Sequence, residues 1–197
     1  MNRSELLNAV SDWLHRADLD TPAATFLQLA ESRLNRDLLL SRYATTTTLT
    51  IPAAASSVDL PADYREGRSL TSSDGEWTQV SPERLGQRVA AGSSAKEWAV
   101  YSGALHIPFA AEEDITLELA YWQRIPALTE LVTTNWLIET HPDVYLWSAL
   151  ELAAVYTANQ AVAAAYGARA AAAIEAVRRA DSAATYFAAS LQADYVV

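Results

Sequence analysis

The spacing of apolar residues changes twice along the chain, and this change limits the folds available to it. Up to residue 43 the apolar residues recur on one helical face, from 44 to 124 they tend to alternate as in strands, and after 125 the helical spacing returns. The predicted fold class is α+β: a mainly α-helical bundle of N- and C-terminal helices with an inserted small antiparallel β module. In this prediction residues 1–43 and 125–197 form the helical core, and residues 44–124 form the β module.

The helical parts carry recognisable start signals. Asn2 followed by Glu5 is a capping-box pair at the start of the first helix. Pro142 follows His141 and predicts a helix that continues through Tyr156, because proline is favoured at the first helical position. An alanine-rich segment at about 161–193 predicts a final long helix, since alanine is the strongest helix former.

The β module contains two predicted hairpins and a final strand. The turns are the SSDG sequence at residues 72–75 and the SG sequence at 102–103, each between two alternating segments. Residues 115–121 alternate strictly and predict the last strand. The strand at 44–51 is followed by Pro52, which makes it a candidate for a sheet edge.

Motifs of catalysis and metal binding are missing from the sequence. It has no cysteine, which excludes disulfides, thiolate metal sites and cysteine nucleophiles. His15, His106 and His141 are not in a metal-ligand spacing, and there is no phosphate-binding glycine loop or nucleophile elbow. We therefore predict a protein that is not an enzyme and that needs no cofactor.

The charge of the chain argues against direct nucleic-acid binding. Fourteen Lys and Arg residues oppose 24 Asp and Glu residues, giving a net charge of −10, whereas nucleic-acid-binding surfaces carry clustered positive charge. The densest acidic run is residues 112–114, which lack the alternating ligands and the glycine of a calcium loop and predict a solvated turn. The longest charge-free run, residues 152–168, is too short and too polar to span a membrane.

Tryptophan and tyrosine are abundant, with six Trp and nine Tyr against three Phe. These rings are enriched where one end is buried and the other is wet, as at protein interfaces. The alternative is that they fill a core made thin by alanine. We assign Trp13, Trp136 and Trp147 to the core and take Trp98, Tyr186 and Tyr195 as interface candidates.

Five segments in order resemble the adaptor proteins of tailed bacteriophages. They are AESRLNR at 30–36, LPADY at 60–64, YWQRIPAL at 121–128, TNWL at 134–137 and HPDVYL at 141–146. The resemblance implies a head-to-tail connector: a homo-oligomeric ring, commonly twelvefold, that lies beneath the portal protein and continues the DNA channel towards stopper or tail proteins. It also implies a place in the virion neck and in the host cytoplasm during assembly, with DNA passing through without specific binding and with no membrane contact.

Within that interpretation the chain offers three sets of candidate site residues. An apolar C-terminal segment after a long helix is a candidate for docking into a groove of the portal. Arginine and exposed aromatic residues are candidates for contacts between subunits, and the acidic run is a candidate for the channel wall. The portal-binding candidates are Leu191, Tyr195, Val196 and Val197; the subunit-interface candidates are Trp98, Tyr186 and Arg178; the channel-facing candidates are Glu112, Glu113 and Asp114.

Two other classes of protein stay open at the level of sequence. One is a helical binding module of the bacterial cytosol in which the β part is an insertion. The other is a small enzyme whose active site is assembled from scattered residues, although no sequence motif supports this class.

Overall fold

The computed structural model describes the backbone of residues 1–15 and 20–193 and the side chains of residues 1–15 and 22–185. Within these residues the helices are α1 (Arg3–Leu14), α2 (Asp20–Asp37), α3 (Pro82–Ala90), α4 (Trp136–Thr140), α5 (Pro142–Tyr156) and α6 (Gln160–Ala193). The strands are β1 (Ala44–Ile51), β2 (Ser57–Asp59), β3 (Tyr64–Ser72), β4 (Gly75–Gln79), β5 (Glu97–Tyr101), β6 (Ala104–His106) and β7 (Ile115–Gln123). A 3₁₀ turn at Ser41–Tyr43 precedes β1.

The chain divides into two compact units. The helical unit comprises Met1–Arg42 and Ile125–Val197, and the β unit comprises Tyr43–Arg124. The predicted capping box is confirmed, because the backbone N–H of Glu5 donates to Asn2 Oδ1 and the backbone N–H of Asn2 donates to Glu5 Oε2, both at 2.9 Å. Both predicted hairpins are also confirmed, as β3–β4 and β5–β6.

The predicted fold class, a mainly helical bundle with a small β module, is wrong. All seven strands form one sheet in the order β1-β7-β3-β4-β5-β6-β2, and its two edge strands, β1 and β2, approach each other so that the sheet is a nearly closed barrel. Nor is it purely antiparallel, since β4 and β5 pair in parallel. The β part is therefore a seven-stranded unit with its own hydrophobic core, and the fold class is α+β rather than mainly helical.

Long-range pairing explains why the sequence suggested a smaller β module. β1 pairs with β7 along its whole length, from Ala44 opposite Trp122 to Ile51 opposite Ile115. This pairing joins the first and last strands of the unit. The parallel strands β4 and β5 are likewise separated in the sequence, because α3 comes between them along the chain. Local alternation of apolar residues identifies strands and hairpins, but it carries no information on which distant strands will pair.

The barrel interior is filled by side chains, as expected for a barrel of this size. Two register shifts on β3, around Glu66 and Ser69, are bulges that let the strand bend. Trp98 lies in this core with 1% of its surface exposed. The core residues are Leu49, Ile51, Leu70, Trp77, Trp98, Leu105, Ile107, Ala111, Leu117, Leu119 and Tyr121.

The assignment of tryptophans to core and interface is partly reversed in the structure. Trp13, assigned to the core, is 47% exposed, and its ring meets Trp147 edge to face at 5.1 Å between centroids. Trp136 and Trp147 are half-buried. Trp98, an interface candidate, is almost completely buried, so it offers no area to a neighbouring subunit in this conformation.

The helical unit is built around α5, which packs against α1, α2 and α6. Arg33 of α2 pairs with Glu151 of α5, with 2.5 Å between Nη1 and Oε2. Gly167 of α6 lies against the same carboxylate, because a β-carbon at this position would stand 2.9 Å from Glu151 Oε1. The glycine thus lets α6 approach α5 closely over a charged pair.

Candidate interaction surfaces

The segment between β7 and α4 is held in place by two polar side chains of α2. The carboxylate oxygen Oε1 of Glu31 accepts a hydrogen bond of 2.6 Å from the backbone N–H of Leu128. Asn35 Oδ1 accepts from the backbone N–H of Ile125 at 2.8 Å, and its Nδ2 donates to the Ile125 carbonyl at 3.4 Å. These bonds take the place of secondary structure in a segment that has none of its own.

Asn135 holds the other end of this segment. Its Oδ1 caps α4 by accepting from the backbone N–H of Ile138 at 3.0 Å, while its Nδ2 donates to the Pro126 carbonyl at 2.7 Å and to the Tyr145 hydroxyl at 2.9 Å. Tyr145 is completely buried. One buried amide therefore ties together the segment, the start of α4 and the core of α5.

Glu31 is an unusual choice for such a position, because only 8% of its surface is exposed. Burial opposes the charged form and raises the pKa of the Glu31 carboxyl, and the hydrogen bond from Leu128 and the charge of Arg3 oppose this rise only in part. The Glu31 carboxyl is thus buried at a cost to its charged form, and at this position it fixes the backbone of the segment between β7 and α4.

The fixed segment contains a tight turn at residues 129–132. The backbone N–H of Thr129 donates to the Val132 carbonyl at 2.8 Å, and the hydroxyl oxygen of Thr129 accepts from the backbone N–H groups of Leu131 at 3.2 Å and of Val132 at 2.9 Å. Leu131 is 95% exposed, and Val132 is also exposed. Two aliphatic side chains thus stand on the surface of a hydrogen-bonded turn. We call Leu131 and Val132 the apolar tip.

A second feature of the helical unit is a groove of about 340 Å³ beside α6. Val177 is almost completely buried in it, and Ala180 and Ala184 leave room because their side chains are small. We call this feature the α6 groove. It is lined by Ser41, Arg42, Trp136, His141, Val177, Ala180, Asp181 and Ala184.

Two charged side chains, Asp181 and Arg42, line the α6 groove. The Asp181 carboxylate accepts from the backbone N–H of Ser41 at 2.9 and 3.0 Å and from the Ser41 hydroxyl at 2.7 Å. The Arg42 guanidinium lies 5.2 Å from the centre of the Trp136 ring, within the range of a cation–π contact. The acidic group is therefore engaged within the subunit, while Arg42 contributes a positive charge beside an aromatic wall.

Arg178, one of the predicted interface residues, is bonded within its own subunit. Its Nη2 donates to the Asp37 carbonyl at 2.6 Å, and its Nη1 lies 3.3 Å from Glu175 Oε2. The guanidinium thus binds the last turn of α2 to α6. About half of its side-chain surface is still exposed, so a subunit contact at Arg178 stays a prediction.

The predicted channel-facing residues lie on the β unit. Glu112, Glu113 and Asp114 are all exposed, and Asp114 Oδ1 accepts from the backbone N–H of Ala53 at 2.9 Å. Together with Asp74 they line a surface groove of about 770 Å³. The run therefore adds to a larger acidic surface.

The sequence matches the family described as SU10 adaptor protein over residues 1–192. The chain belongs to this family. It is a family of phage head-to-tail adaptors, so the predicted family is confirmed, and the match favours an adaptor over the host binding module and the small enzyme that the sequence left open. No curated protein matches the chain.

Residues from four of the five segments that carried the resemblance meet in one place in the adaptor. Glu31 and Asn35 come from the AESRLNR segment, Leu128 from YWQRIPAL, Asn135 from TNWL and Tyr145 from HPDVYL, and all five belong to the hydrogen-bonded set described above. These four motifs are therefore signatures of how the 125–135 segment is fixed, whereas LPADY at 60–64 belongs to the β unit.

Several candidate residues of the adaptor fall outside this description. Tyr195, Val196 and Val197 lie outside the described residues, and Tyr186 and Leu191 lie on α6 with side chains that are not among those described. Within the described part, there is no cluster of three or more His, Asp or Glu side chains placed to hold a metal ion. No helix in that part has both the length and the apolar composition needed to cross a membrane.

Sequence reasoning missed the apolar tip and the α6 groove. A signal for the tip was present: Leu131 and Val132 are two aliphatic residues between Glu130 and Thr133, in a segment with neither helical nor strand periodicity. The groove left no such signal, because the turn at residue 41, α4 and α6 are brought together only by the tertiary fold.

Proposed function

We propose that this adaptor forms a homo-oligomeric ring beneath the portal, links the capsid to the tail and continues the DNA channel. The match to an adaptor family over residues 1–192 is the observation that carries this proposal. Its partners are then the portal protein on one side and stopper or tail proteins on the other.

The charge of the chain supports the channel role. If the ring has twelve subunits, a charge of −10 on each gives roughly −120 for the ring, and such a charge repels DNA phosphates over about 8 Å at physiological salt. A wall that repels DNA has no sites at which a moving genome would stick. The acidic surface around residues 112–114 of the β unit is the proposed channel-facing part.

The portal contact is proposed to involve Leu191 and the apolar residues 195–197. A short apolar segment next to a helix can dock into a hydrophobic groove of a partner. A chain that ends at Gln192 should keep the melting temperature of the full chain and lose portal binding. The proposed contact is wrong if the shortened chain still binds.

The ring itself is tested by mixing the purified adaptor with the purified portal protein of the same phage. Size-exclusion chromatography should show a complex, and electron micrographs of that complex should show a ring of adaptor subunits on the portal. A control mixture with the portal of an unrelated phage should show no complex. If the adaptor and its own portal elute separately under all salt conditions, the proposed function is wrong.

A further inference from the structure

The apolar tip combines high exposure with a fixed backbone. A single exposed leucine is ordinary on a protein surface. Leu131, however, is 95% exposed on a turn closed by three hydrogen bonds through Thr129, and the segment that leads to the turn is anchored by Glu31. An anchored turn presents its apolar side chains at a fixed place, because its backbone does not have to be ordered on binding.

The α6 groove offers a surface that fits such a tip. Its volume of about 340 Å³ lies at the small end of ligand pockets, which suits one or two aliphatic side chains. Val177, Ala180 and Ala184 of α6 contribute apolar side chains to the lining, and Trp136 contributes an aromatic ring. The tip and the groove both belong to the helical unit.

The charges next to the two surfaces are complementary. Glu130 directly precedes Leu131 in the turn. Arg42 and Asp181 both line the groove: the Asp181 carboxylate accepts hydrogen bonds from Ser41, whereas the Arg42 guanidinium lies over the Trp136 ring. An arriving tip would bring a carboxylate towards a guanidinium, and opposite charges of this kind steer encounter and fix orientation.

We propose that the apolar tip of one adaptor subunit docks in the α6 groove of the next subunit. The two surfaces are different parts of the same chain, so the contact is heterologous: each subunit gives a tip to one neighbour and a groove to the other. Contacts of this type close into rings when the rotation between subunits permits. The proposal rests on the proposed ring and names the contact that builds it.

Cysteine cross-linking tests the contact directly, because the natural chain has no cysteine. Leu131→Cys is made in a tagged chain and Ala184→Cys in an untagged chain, and the two are mixed with the portal and oxidised. A disulfide-linked pair containing one tagged and one untagged chain is expected. Each variant alone should give little disulfide-linked dimer. In the control, Val89→Cys, at an exposed position of the β unit, should give no disulfide-linked pair with Ala184→Cys.

A charge substitution provides an independent readout. Leu131→Asp should raise the adaptor concentration needed for assembly on the portal at least tenfold. Its melting temperature should stay that of wild type, because the Leu131 side chain is 95% exposed. Val89→Asp is the matched control, another exposed aliphatic residue, and should assemble normally. Combining Glu130→Arg with Arg42→Glu should assemble better than either single variant.

The outcomes separate this proposal from the proposed function. If wild-type rings are visible and the mixed pair does not cross-link, or if Leu131→Cys links mainly to itself, the tip-in-groove contact is wrong and the ring stands. Normal assembly of Leu131→Asp would also overturn the contact. If wild type forms no ring with its own portal, the proposed function itself is wrong.

Discussion

Substituting Gly67 by alanine should destabilise the β unit, mainly through a clash with the buried ring of Trp98. A β-carbon at residue 67 would lie 2.5 Å from Cη2 of Trp98, well inside van der Waals contact, and 3.2 Å from the Tyr64 hydroxyl. Trp98 cannot yield easily, because it is 1% exposed and enclosed by the barrel core. Protein interiors are packed like organic crystals, so a clash with a buried ring must be relieved by moving its neighbours.

The size of the effect follows from that clash. Inserting a methyl group into a filled core costs about 1–3 kcal/mol in the free energy of unfolding, and we expect Gly67→Ala to fall in the upper half of this range. Gly86→Ala is the matched control in the same unit: Gly86 is inside α3, and nothing lies within 4 Å of its added β-carbon. That variant should be more stable than wild type by about 0.5–1 kcal/mol, since glycine is unfavourable inside a helix.

Urea unfolding followed by tryptophan fluorescence and far-ultraviolet circular dichroism measures both variants. Two compact units can unfold in separate steps, so the midpoint of the β-unit transition is the quantity to compare. If Gly67→Ala unfolds at the same urea concentration as wild type, the Trp98 ring is not held in the core. The sequence-based role of Trp98 at a subunit interface would then be open again.

Three further predictions concern carboxylates. Because the pKa of Glu31 is raised in the folded protein, wild type should lose stability as pH rises through that pKa. Glu31→Gln keeps an acceptor for the Leu128 N–H and should not show this loss in thermal melts. Glu31→Ala has no acceptor and should be less stable than wild type at every pH. The hydrogen bond to Arg88 is the main cause that lowers the pKa of Glu97, so the stability that Glu97 contributes is lost as pH falls below the ordinary value of 4.5. In Glu97→Gln the melting temperature should therefore depend less on pH in the acid range. Replacing all three acidic residues at 112–114 by lysine should leave assembly intact and make rings retain DNA in a filter-binding assay at low salt, which wild-type rings should not do.

Local structure was predictable from the sequence where one short signal decides it. The capping box at Asn2, the hairpin turn before Gly75 and the proline start of α5 at Pro142 are each set by residues close in sequence, and each is present in the structure. The barrel was not predictable in this way. It depends on β1 pairing with β7 and on the parallel pair of β4 and β5, which join segments that no local pattern relates.

The tryptophans show the same division between local and long-range information. A strand residue such as Trp98 points to one face or the other by alternation, but which face becomes the barrel interior depends on the closure of the sheet. Glycine at position 67 of β3 makes space for the Trp98 ring. Trp13 has the opposite outcome: it lies on an apolar helical stripe and is nevertheless almost half exposed.

The buried polar groups around residues 125–135 make more sense as devices for positioning than as sources of stability. An apolar residue in place of Glu31 would avoid the unfavourable burial that raises its pKa, but it could not accept the hydrogen bond of the Leu128 N–H. Buried hydrogen-bonded groups select one backbone arrangement among several of similar packing. A contact loop benefits from that selection, because a backbone that is already fixed does not have to be ordered on binding. The chain carries a buried carboxyl with a raised pKa where a fixed loop presents Leu131 to solvent, and this is the arrangement expected if the loop is an assembly contact.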